Sequence, residues 1–306
     1  MNKLPLITIA ICTYNRAEYL RDTLNDIVAQ TADSKTYEIV VVNNNSSDHT
    51  NDVCRDFAAK YKNHQFKAVK EDKQGLSHAR NRAVTEAGSD NILYIDDDVH
   101  LPSDFVAAAL NYLEKYPDAK CAGGRIYVSF DGFDERPNWI PGELMPMFGL
   151  HDLGDSDRMY PSNNFPRGGN MLIRKSVLEN TGMFEPDLGR KGEVLLGSEE
   201  KQLFEKVRER KIQLHYWANL YLWHRIGENR LQKAYLKEQS AGIGKSERIR
   251  IQGNAAALFA KLAGELIKLA GSLILSAGYL IRGKGKAAGF LLKFRLWVLS
   301  GFLSGK

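Results

Sequence analysis

The sequence of 306 residues is poor in cysteine. Its three cysteines, Cys12, Cys54 and Cys121, are odd in number and widely spaced, and none lies in a CxxC or other metal-ligand pattern. Small secreted domains that depend on disulfides carry many cysteines at recurring spacings, so a disulfide framework is excluded and a cysteine-ligated metal site is not indicated. We therefore predict a reducing compartment.

Long uncharged apolar runs and late prolines are also missing. No stretch reaches about 18 uncharged apolar residues, so no transmembrane helix is predicted. The N-terminus has a lysine and a β-like run instead of a long apolar region before a small-residue cleavage site, so we predict no secretory signal. No proline follows Pro186, so nothing in the C-terminal part interrupts helix formation.

Charge is unevenly distributed along the chain. Residues 231–306 contain 13 Lys and Arg and 3 Glu, which gives +10, whereas the whole chain carries +5. Residues 1–230 therefore carry −5. An acidic body with a basic tail predicts an anionic partner for the tail.

The first half alternates short apolar strands with amphipathic helices. This order predicts an α/β fold with a parallel sheet and right-handed crossovers, Rossmann-like in architecture. No GxGxxG follows the first strand, so the dinucleotide fingerprint is missing. The strands predicted in this half are Leu6–Cys12, Glu38–Val42, Phe66–Val69 and Asn91–Ile95.

The second half no longer alternates strands and helices regularly. A helix is predicted from Pro102 and a strand at Ala119–Val128, and five of the nine prolines then lie between Phe130 and Pro166, which predicts a long irregular lobe. The later predicted elements are a strand at Met171–Ile173, a Gly-rich charged loop at Gly189–Gly197, a helix at Ser198–Glu209, and two short strands at Leu214–Trp217 and Leu220–Trp223.

Three consecutive carboxylates, Asp96, Asp97 and Asp98, directly follow the apolar strand that ends at Ile95. Like charges this close repel, and burying them is costly unless a positive group neutralises them. Oxygen ligands suit Mg²⁺ or Mn²⁺, which commonly keep open positions for substrate phosphates. The stretch predicts a metal–diphosphate site at the carboxyl end of a strand, where open α/β sheets bind ligands. A solvated acidic loop is the alternative.

Seven blocks occur in an order and spacing that resemble a family-2 glycosyltransferase with a GT-A-type fold. The resemblance spans roughly Leu4 to Gly227 and implies a Rossmann-like nucleotide-binding sheet joined to a mixed-sheet acceptor half. An acidic triplet alone is common, whereas seven ordered blocks are specific. The blocks are Thr13-Tyr14-Asn15-Arg16, Val41-Val42-Asn43-Asn44-Asn45-Ser46-Ser47-Asp48, Gly75-Leu76-Ser77-His78-Ala79-Arg80-Asn81, Asp96-Asp97-Asp98, Arg167-Gly168-Gly169-Asn170, Glu199-Glu200 and His224.

The resemblance implies a role for most of these residues. The family usually has Asp where this chain has Asn43, and a neutral amide, which both donates and accepts hydrogen bonds, can still bind a pyrimidine edge. The implied metal ligands are Asp98 and His224. The acceptor side is expected to include Gly169, Asn170 and, as a stacking platform in the irregular lobe, Trp139. The implied nucleotide and donor residues are Thr13, Tyr14, Arg16, Asn43, Asn45, Arg80, Asp96 and Asp97.

The general base is implied to lie at the start of the helix at Ser198–Glu209. The family usually has Glu-Asp there, with the Asp as base, whereas this chain has Glu199-Glu200. Glu200 therefore falls on the base position, and Glu199 is the second choice. The alternative is that both carboxylates only complement the helix dipole.

These features predict an inverting, metal-dependent glycosyltransferase. The diphosphate leaving group of a nucleotide-sugar needs a cation, here Mn²⁺ or Mg²⁺, and an acceptor hydroxyl needs a base. The expected donor is a UDP-sugar, and the expected acceptor is a glycan or a lipid-linked glycan of cell-surface polysaccharide or glycolipid synthesis. A catalytically silent, nucleotide-sugar-binding scaffold subunit is the alternative, because Asn43 and Glu200 depart from the family pattern.

The tail is predicted to form two amphipathic helices from about Ala255, joined by Gly283-Lys284-Gly285-Lys286. Leucines with excess Lys and Arg are typical of helices that lie in a membrane interface. Packing on the main domain or on a second subunit is the alternative, which leaves a homo-oligomer open. No nucleic-acid motif accompanies the basic charge, so no nucleic acid partner is predicted. One face of the first helix carries Leu258, Leu262, Leu266, Leu269, Leu273, Ala277 and Leu280.

The expected organisation is a glycosyltransferase domain followed by a basic extension. The domain covers residues 1–230, with a donor half at about 1–118 and an acceptor half at about 119–230. The extension covers residues 231–306. Together with the predicted tail, this places the chain on the cytoplasmic face of the cell membrane as a peripheral protein.

Overall fold

The computed structural model describes residues 5–190 and 198–304. Most of the predicted loop Gly189–Gly197 lies outside these residues. The first half alternates strands and helices as predicted, and its four strands are buried apolar runs except for the third, which lies at the sheet edge. Its elements are β1 (Ile7–Thr13), α1 (Ala17–Val28), β2 (Tyr37–Asn43), α2 (Thr50–Lys60), β3 (Gln65–Lys70), α3 (Leu76–Glu86) and β4 (Asn91–Asp96).

The second half adds strands that pair in the opposite sense. Its elements are β5 (Val99–His100), α4 (Phe105–Lys115), β6 (Cys121–Phe130), a 3₁₀ helix at Gly142–Phe148, β7 (Arg158–Met159), β8 (Asn170–Arg174), α5 (Lys175–Thr181), α6 (Glu199–Glu209), β9 (Leu214–Ile226), a 3₁₀ helix at Glu228–Leu231, α7 (Lys233–Arg250), α8 (Ala255–Ile281) and α9 (Gly285–Ser304).

One mixed sheet joins the two sets of strands. Its order is β3-β2-β1-β4-β8-β6-β9-β5, and β7 pairs with β9 beside this path. The strands β1, β2, β3 and β4 are parallel, whereas β8 runs antiparallel to both β4 and β6. Alternate residues of β1 enter two buried clusters, with Ile9 and Ile11 in one and Ala10 in the other, so both faces of the sheet are covered.

Several predicted boundaries differ from the structure. The helix predicted from Pro102 begins at Phe105, because Pro102 instead closes a turn in which its carbonyl accepts from the Phe105 amide. The two short strands predicted around Trp217 and Trp223 form one continuous strand, β9, since the intervening Ala218 and Asn219 interrupt the apolar pattern without breaking the backbone ladder.

Contacts divide the chain into two compact units. The first unit comprises Met1–Val128, Gly149–Asp187 and Glu199–Arg225. The second, called the tail unit below, comprises Ser129–Phe148, Leu188–Ser198 and Ile226–Lys306. The tail unit thus combines the predicted extension with part of the predicted irregular lobe. The domain boundaries given above stay a prediction.

Within the described residues the tail unit holds three α-helices, whereas the sequence predicted two. The additional helix is α7, which was not predicted because its apolar residues show little helical periodicity and it contains two glycines and two serines, both weaker helix formers than alanine. It packs on α9 at backbone distance: a Cβ added to Gly244 would lie 2.0 Å from the Val298 carbonyl oxygen, and one on Gly301 would lie 1.9 Å from that of Ala241.

The polar face of α8 is the buried face. Its buried residues are Glu265, Ser272 and Ser276, and Ser276 donates to the Ala288 carbonyl of α9 at 3.2 Å. Glu265 is paired with Lys268 at 2.8 Å and Lys261 at 3.4 Å. The apolar residues point outward, the reverse of a helix on a soluble core. Those most exposed are Phe259, Leu266, Ile267, Leu273, Ile274, Leu275, Leu280 and Ile281.

Among the described residues, the helix α9 is long and apolar enough to cross a membrane by length and composition alone, and 44% of its most apolar stretch is buried within the protein. This helix was not predicted to span a membrane from the sequence, because the prediction required about 18 uncharged apolar residues and the helix contains Lys286, Lys293 and Arg295.

Candidate functional site

The residues predicted to bind a nucleotide lie side by side at the carboxyl edge of the parallel strands. Strand register pairs Thr13 at the end of β1 with Asn43 at the end of β2, and pairs Cys12 with Asp96 at the end of β4. Three loops therefore leave the sheet at one place. This is the position where open α/β sheets bind ligands.

The loops after β1 and β2 are tied to each other by Asn15. The side-chain oxygen of Asn15 accepts from the Ser47 backbone amide at 2.7 Å, and the backbone amide of Asn15 donates to the Ser46 hydroxyl at 3.0 Å. Asn15 has φ of 52°, a left-handed conformation that asparagine adopts more readily than most residues. Next to this link lie Tyr14, which is half-buried, and Asn45, which is exposed and also left-handed at φ of 62°.

Two asparagines of the second loop are engaged by the protein itself. Asn43 donates from Nδ2 to Asn51 at 2.8 Å and accepts from the Ser46 amide at 2.9 Å. Asn44, which was not predicted as a site residue, accepts from the Gly75 amide at 2.8 Å and donates to the Lys73 carbonyl at 2.7 Å. Asn44 therefore fixes the loop that leads into α3, a role that its place inside an Asn-Asn-Asn block could have suggested.

The three aspartates after β4 differ in exposure. Asp96 is half-buried, whereas Asp97 and Asp98 are 4% and 2% exposed. The Arg16 guanidinium contacts both buried carboxylates, Asp97 at 3.2 Å and Asp98 at a shorter distance. Burial raises the pKa of Asp97 to about 6, with Arg16 acting in the opposite direction. Thr23, which was not predicted, donates to the Asp97 carbonyl at 2.9 Å and so holds the turn.

Asp96, Asp98 and His224 form a cluster with the geometry of a metal site. Their ligand atoms all lie within 4.8 Å of one another, and His224 Nε2 lies 3.4 Å from Asp98 Oδ1. Pairing of β5 with β9 brings His224 opposite Val99, immediately after the aspartates. Two carboxylates and an imidazole are a donor set that Mn²⁺ accepts, and Mg²⁺ would rely on the carboxylates. The residues therefore fit a divalent cation.

Arg80 connects this cluster to the start of α6. Its Nη1 lies 2.8 Å from Glu199 Oε1 and its Nη2 lies 3.0 Å from Glu200 Oε1. Burial alone would lower the pKa of Arg80, but Glu200, Glu199 and Asp96 raise it above its ordinary value. Glu199 is 5% exposed, whereas Glu200 is half-buried. Of the two carboxylates, Glu200 is thus the one that a substrate can reach.

The two glycines of Arg167-Gly168-Gly169-Asn170 make room for these charged groups. A Cβ on Gly168 would lie 2.0 Å from both Arg80 Nη2 and Glu200 Oε1, and one on Gly169 would lie 2.8 Å from Asp96 Oδ2. The segment therefore passes directly against the carboxylates. Gly168 lies in one of the seven sequence blocks but was not predicted as a site residue.

The predicted acceptor-side residues lie in different places. Gly169 lies against Asp96. Asn170 is fully buried, and its amide donates to the carbonyls of Arg125 at 3.0 Å and Leu220 at 2.9 Å. This side chain links β6 to β9, and its burial corrects the expectation that it faces an acceptor. Trp139 belongs to the tail unit, where its ring lies 5.2 Å from that of Phe290.

The sheet order and the acid cluster define a class of protein, the GT-A-type glycosyltransferase fold. A mannosyltransferase from Pyrobaculum calidifontis, solved with GDP-Man and Mn²⁺, is similar over 96% of this chain and 87% of its own, with a TM-score of 0.60 and 18% identity. S. aureus TarS 1-349, solved with UDP-GlcNAc, is similar over 95% of this chain and 91% of its own, with a TM-score of 0.53 and 13% identity.

The family follows from the sequence. The model of glycosyl transferase family 2 matches residues 8–182, and the chain belongs to that family. A glucosyl-dolichyl phosphate glucuronosyltransferase from Haloferax volcanii is 24% identical over 79% of this chain and 76% of its own length. The glycosyltransferase AglE of the same organism is 24% identical over 62% of this chain and 60% of its own length. The predicted family and fold class are thus confirmed.

Proposed function

We propose that the chain is an inverting, metal-dependent glycosyltransferase that moves a sugar from a nucleotide-diphosphate sugar to an acceptor hydroxyl. The observation that carries this proposal is the juxtaposition of Asp96, Asp98 and His224 with the Arg80-bound carboxylate of Glu200. Membership of glycosyl transferase family 2 and the nucleotide-sugars bound by the similar structures support it.

In this proposal the residues of the sheet edge hold the donor. Tyr14 and Asn45 lie beside the linked loops after β1 and β2, where a base would rest, with Thr13 and Asn43 beneath them. Asp96 faces the ribose or the donor sugar. Arg16 and Arg80, each paired with two carboxylates, fix the acids in place. The expected nucleotide is UDP.

Asp98 and His224, with Asp96, would hold Mn²⁺ or Mg²⁺, which neutralises the charge that develops on a diphosphate leaving group. Glu200 would accept the proton of the attacking acceptor hydroxyl, a role for which its partial exposure suits it better than the buried Glu199. One displacement of this kind inverts the anomeric centre. The acceptor in this proposal is a glycan or a lipid-linked glycan.

The tail unit supplies the proposed location. The outward apolar face of α8 and the basic charge of residues 231–306 support attachment to the cytoplasmic face of a membrane. The dolichyl phosphate in the name of a 24%-identical relative agrees with a lipid-linked acceptor. Flotation with vesicles of phosphatidylcholine, alone and mixed with phosphatidic acid, tests this part, and a chain that stays with the soluble fraction in both would contradict it.

Calorimetry tests the site. We expect one nucleoside diphosphate among UDP, GDP, TDP and CDP to bind tightly with Mn²⁺ and weakly without it. In Asp98→Asn the dependence on Mn²⁺ should disappear, whereas Asp118→Asn, an exposed carboxylate elsewhere on the first unit, should bind as the wild type does. Failure of all four nucleotides to bind in the presence of metal would overturn the proposal.

Turnover separates the two functions that the sequence left open. A transferase releases nucleotide from its donor when an acceptor hydroxyl is present, and Glu200→Gln should slow that release by about 10²–10⁴-fold while nucleotide binding persists. Binding of a nucleotide-sugar without release, across varied acceptors, would instead support the catalytically silent scaffold subunit.

A further inference from the structure

The tail unit contains a cavity of about 430 Å³ that the proposed sugar transfer does not use. It lies along one side of α9, opposite the beginning of α7. Its wall combines cationic and aromatic residues with small ones. The lining residues are Trp139, Leu231, Lys233, Leu236, Gly285, Lys286, Gly289, Phe290, Lys293 and Trp297.

The cationic side of the cavity has three lysines. Lys233, Lys286 and Lys293 are all exposed at its rim, and within the described residues none of them forms an ion pair or a side-chain hydrogen bond. By contrast, the lysines of α8 that lie near Glu265 are both paired with it. Three unpaired ammonium groups around one opening, with the first turn of α9 beside them, favour an anion.

The floor of the cavity is apolar. Phe290 and Leu236 are 7% and 3% exposed, and the Trp139 ring meets Phe290 edge to face at a centroid distance of 5.2 Å. Trp297 lies one turn beyond Lys293 on the same side of α9. Tryptophans beside lysines are typical of the membrane interface, where the ring contacts the acyl boundary and the ammonium contacts the headgroup.

The cavity continues into exposed apolar surface. Gly285, at its rim, would place an added Cβ 3.9 Å from Leu280 Cδ2, and Leu280 is 61% exposed at the end of α8. A ligand whose head lies among the three lysines can therefore extend its apolar part toward the outward face of α8. A small hydrophilic anion would leave that apolar wall uncovered.

We propose that this cavity binds the phosphate headgroup of an anionic membrane lipid. Lys233, Lys286 and Lys293 would contact the phosphate, and Trp139, Phe290 and Trp297 would cover the glycerol and first acyl carbons. The inference rests on the proposed attachment of the tail unit to a membrane and adds to it a defined, charge-selective lipid site. The site makes membrane binding depend on lipid composition and not only on apolar area.

Vesicle sedimentation of the full chain tests the charge requirement. Binding to phosphatidylcholine vesicles that contain phosphatidic acid should be tighter than to phosphatidylcholine alone. The preference is the ratio of the affinities for vesicles with and without phosphatidic acid. In the triple variant Lys233→Gln, Lys286→Gln, Lys293→Gln this ratio should fall at least about tenfold further than in its control, as expected for close lysine–phosphate contacts. The control removes the same charge from the exposed Lys237, Lys245 and Lys284. Equal losses in both triples would overturn the site.

A second variant tests the cavity without changing charge. An added Cβ on Gly289 meets nothing within 4 Å, so Gly289→Trp can fill the cavity while the helix gains a better helix former. We expect it to lose the preference for phosphatidic acid, whereas Gly271→Trp on α8, also open around its Cβ, should keep it. An unchanged preference in Gly289→Trp would show that the lipid does not enter the cavity.

A soluble probe separates this inference from the membrane proposal. Monomeric dihexanoyl phosphatidic acid should shift the tryptophan fluorescence of the wild type through Trp139 and Trp297, but not that of the triple variant Lys233→Gln, Lys286→Gln, Lys293→Gln, with inorganic phosphate competing only weakly. Probe binding without vesicle binding would leave the site standing and refute the membrane attachment. Vesicle binding without probe binding would refute the lipid site and leave the membrane attachment standing. Inorganic phosphate that binds as tightly as the probe would refute a lipid ligand.

Discussion

Arg80 offers the sharpest test of the site geometry. Its side chain is 4% exposed and lies between Glu199 and Glu200, which are 6% and 20% exposed. Replacing Arg80 with methionine keeps an unbranched side chain but removes the charge and all five donors. Two carboxylates would then face each other, close to Asp96, without their guanidinium.

The expected loss of unfolding free energy follows from the burial of Arg80 and its two carboxylate partners. Removing one partner of a buried ion pair costs about 3–5 kcal/mol, because the other charge stays buried without compensation. Glu200 reaches water in part, which places the expected loss near the lower end of that range. The Arg80 guanidinium also lies 5.3 Å from the centre of the Phe184 ring, a contact of about 1 kcal/mol. We therefore expect Arg80→Met to lose about 3–4 kcal/mol of unfolding free energy.

Urea unfolding of four proteins measures this effect: wild type, Arg80→Met, Glu199→Gln and the double variant. Glu199→Gln alone should lose only about 1 kcal/mol, because the amide oxygen still accepts from Arg80. The loss of unfolding free energy in the double variant should be smaller than the sum of the two single losses by at least about 1.5 kcal/mol. The control is Arg82→Met on the same helix, whose partly exposed pair with Glu86 should contribute about 1 kcal/mol or less, because Glu86 keeps Lys67 as a second partner.

An Arg80→Met protein within about 1 kcal/mol of the wild type would refute the reasoning, since the penalty for uncompensated buried charge would be absent. Strict additivity with Glu199→Gln would refute the contact itself.

Three further predictions follow from contacts and burial. Gly168→Ala should lose about 1–3 kcal/mol in urea unfolding because its Cβ would lie 2.0 Å from two charged atoms, whereas Gly264→Ala, with nothing within 4 Å, should not be destabilised. Burial lowers the pKa of His151 to about 3, so its folded form stays neutral while the unfolded form takes up a proton below about pH 6.5. Wild-type stability should therefore fall relative to His151→Gln by about 1.4 kcal/mol per pH unit between pH 6 and pH 4, and a constant difference would contradict this. Burial raises the pKa of all three cysteines, to about 12, 11 and 12 for Cys12, Cys54 and Cys121, so iodoacetamide at pH 8 should label them in urea but not in the native protein, as mass spectrometry can show.

Sequence alone was informative where local patterns decide the structure. Alternation of apolar strands with helices, together with the acids after Ile95, predicted the parallel sheet and its carboxyl edge, because both depend on periodicity and on the cost of adjacent charges. The register that pairs Thr13 with Asn43 follows once the strands are parallel.

Contacts between distant segments were not accessible in this way. Arg80 meets Glu199 across 119 positions, and no local pattern reports that distance. The glycine pair that includes Gly168 could have indicated a position where the backbone passes close to other groups. That these groups are Arg80 and Glu200 depends on the same long-range contact. The orientation of α8 was equally hidden: its apolar stripe was visible, whereas burial of the opposite stripe depends on Glu265 finding Lys261 and Lys268.

Charge balance in the first unit links these contacts to the proposed chemistry. Asp96, Asp97, Asp98, Glu199 and Glu200 supply five carboxylates, against which Arg16 and Arg80 supply two guanidinium groups. Full ionisation leaves three negative charges in a largely buried edge, and a nucleotide diphosphate would bring more. Both arginines are already committed to carboxylate pairs, so neither can neutralise the diphosphate without exposing an acid. In the proposed mechanism a divalent cation held by Asp96, Asp98 and His224 would neutralise the anionic donor. We therefore expect the loss of nucleotide binding in Asp98→Asn to exceed what one missing ligand would cost.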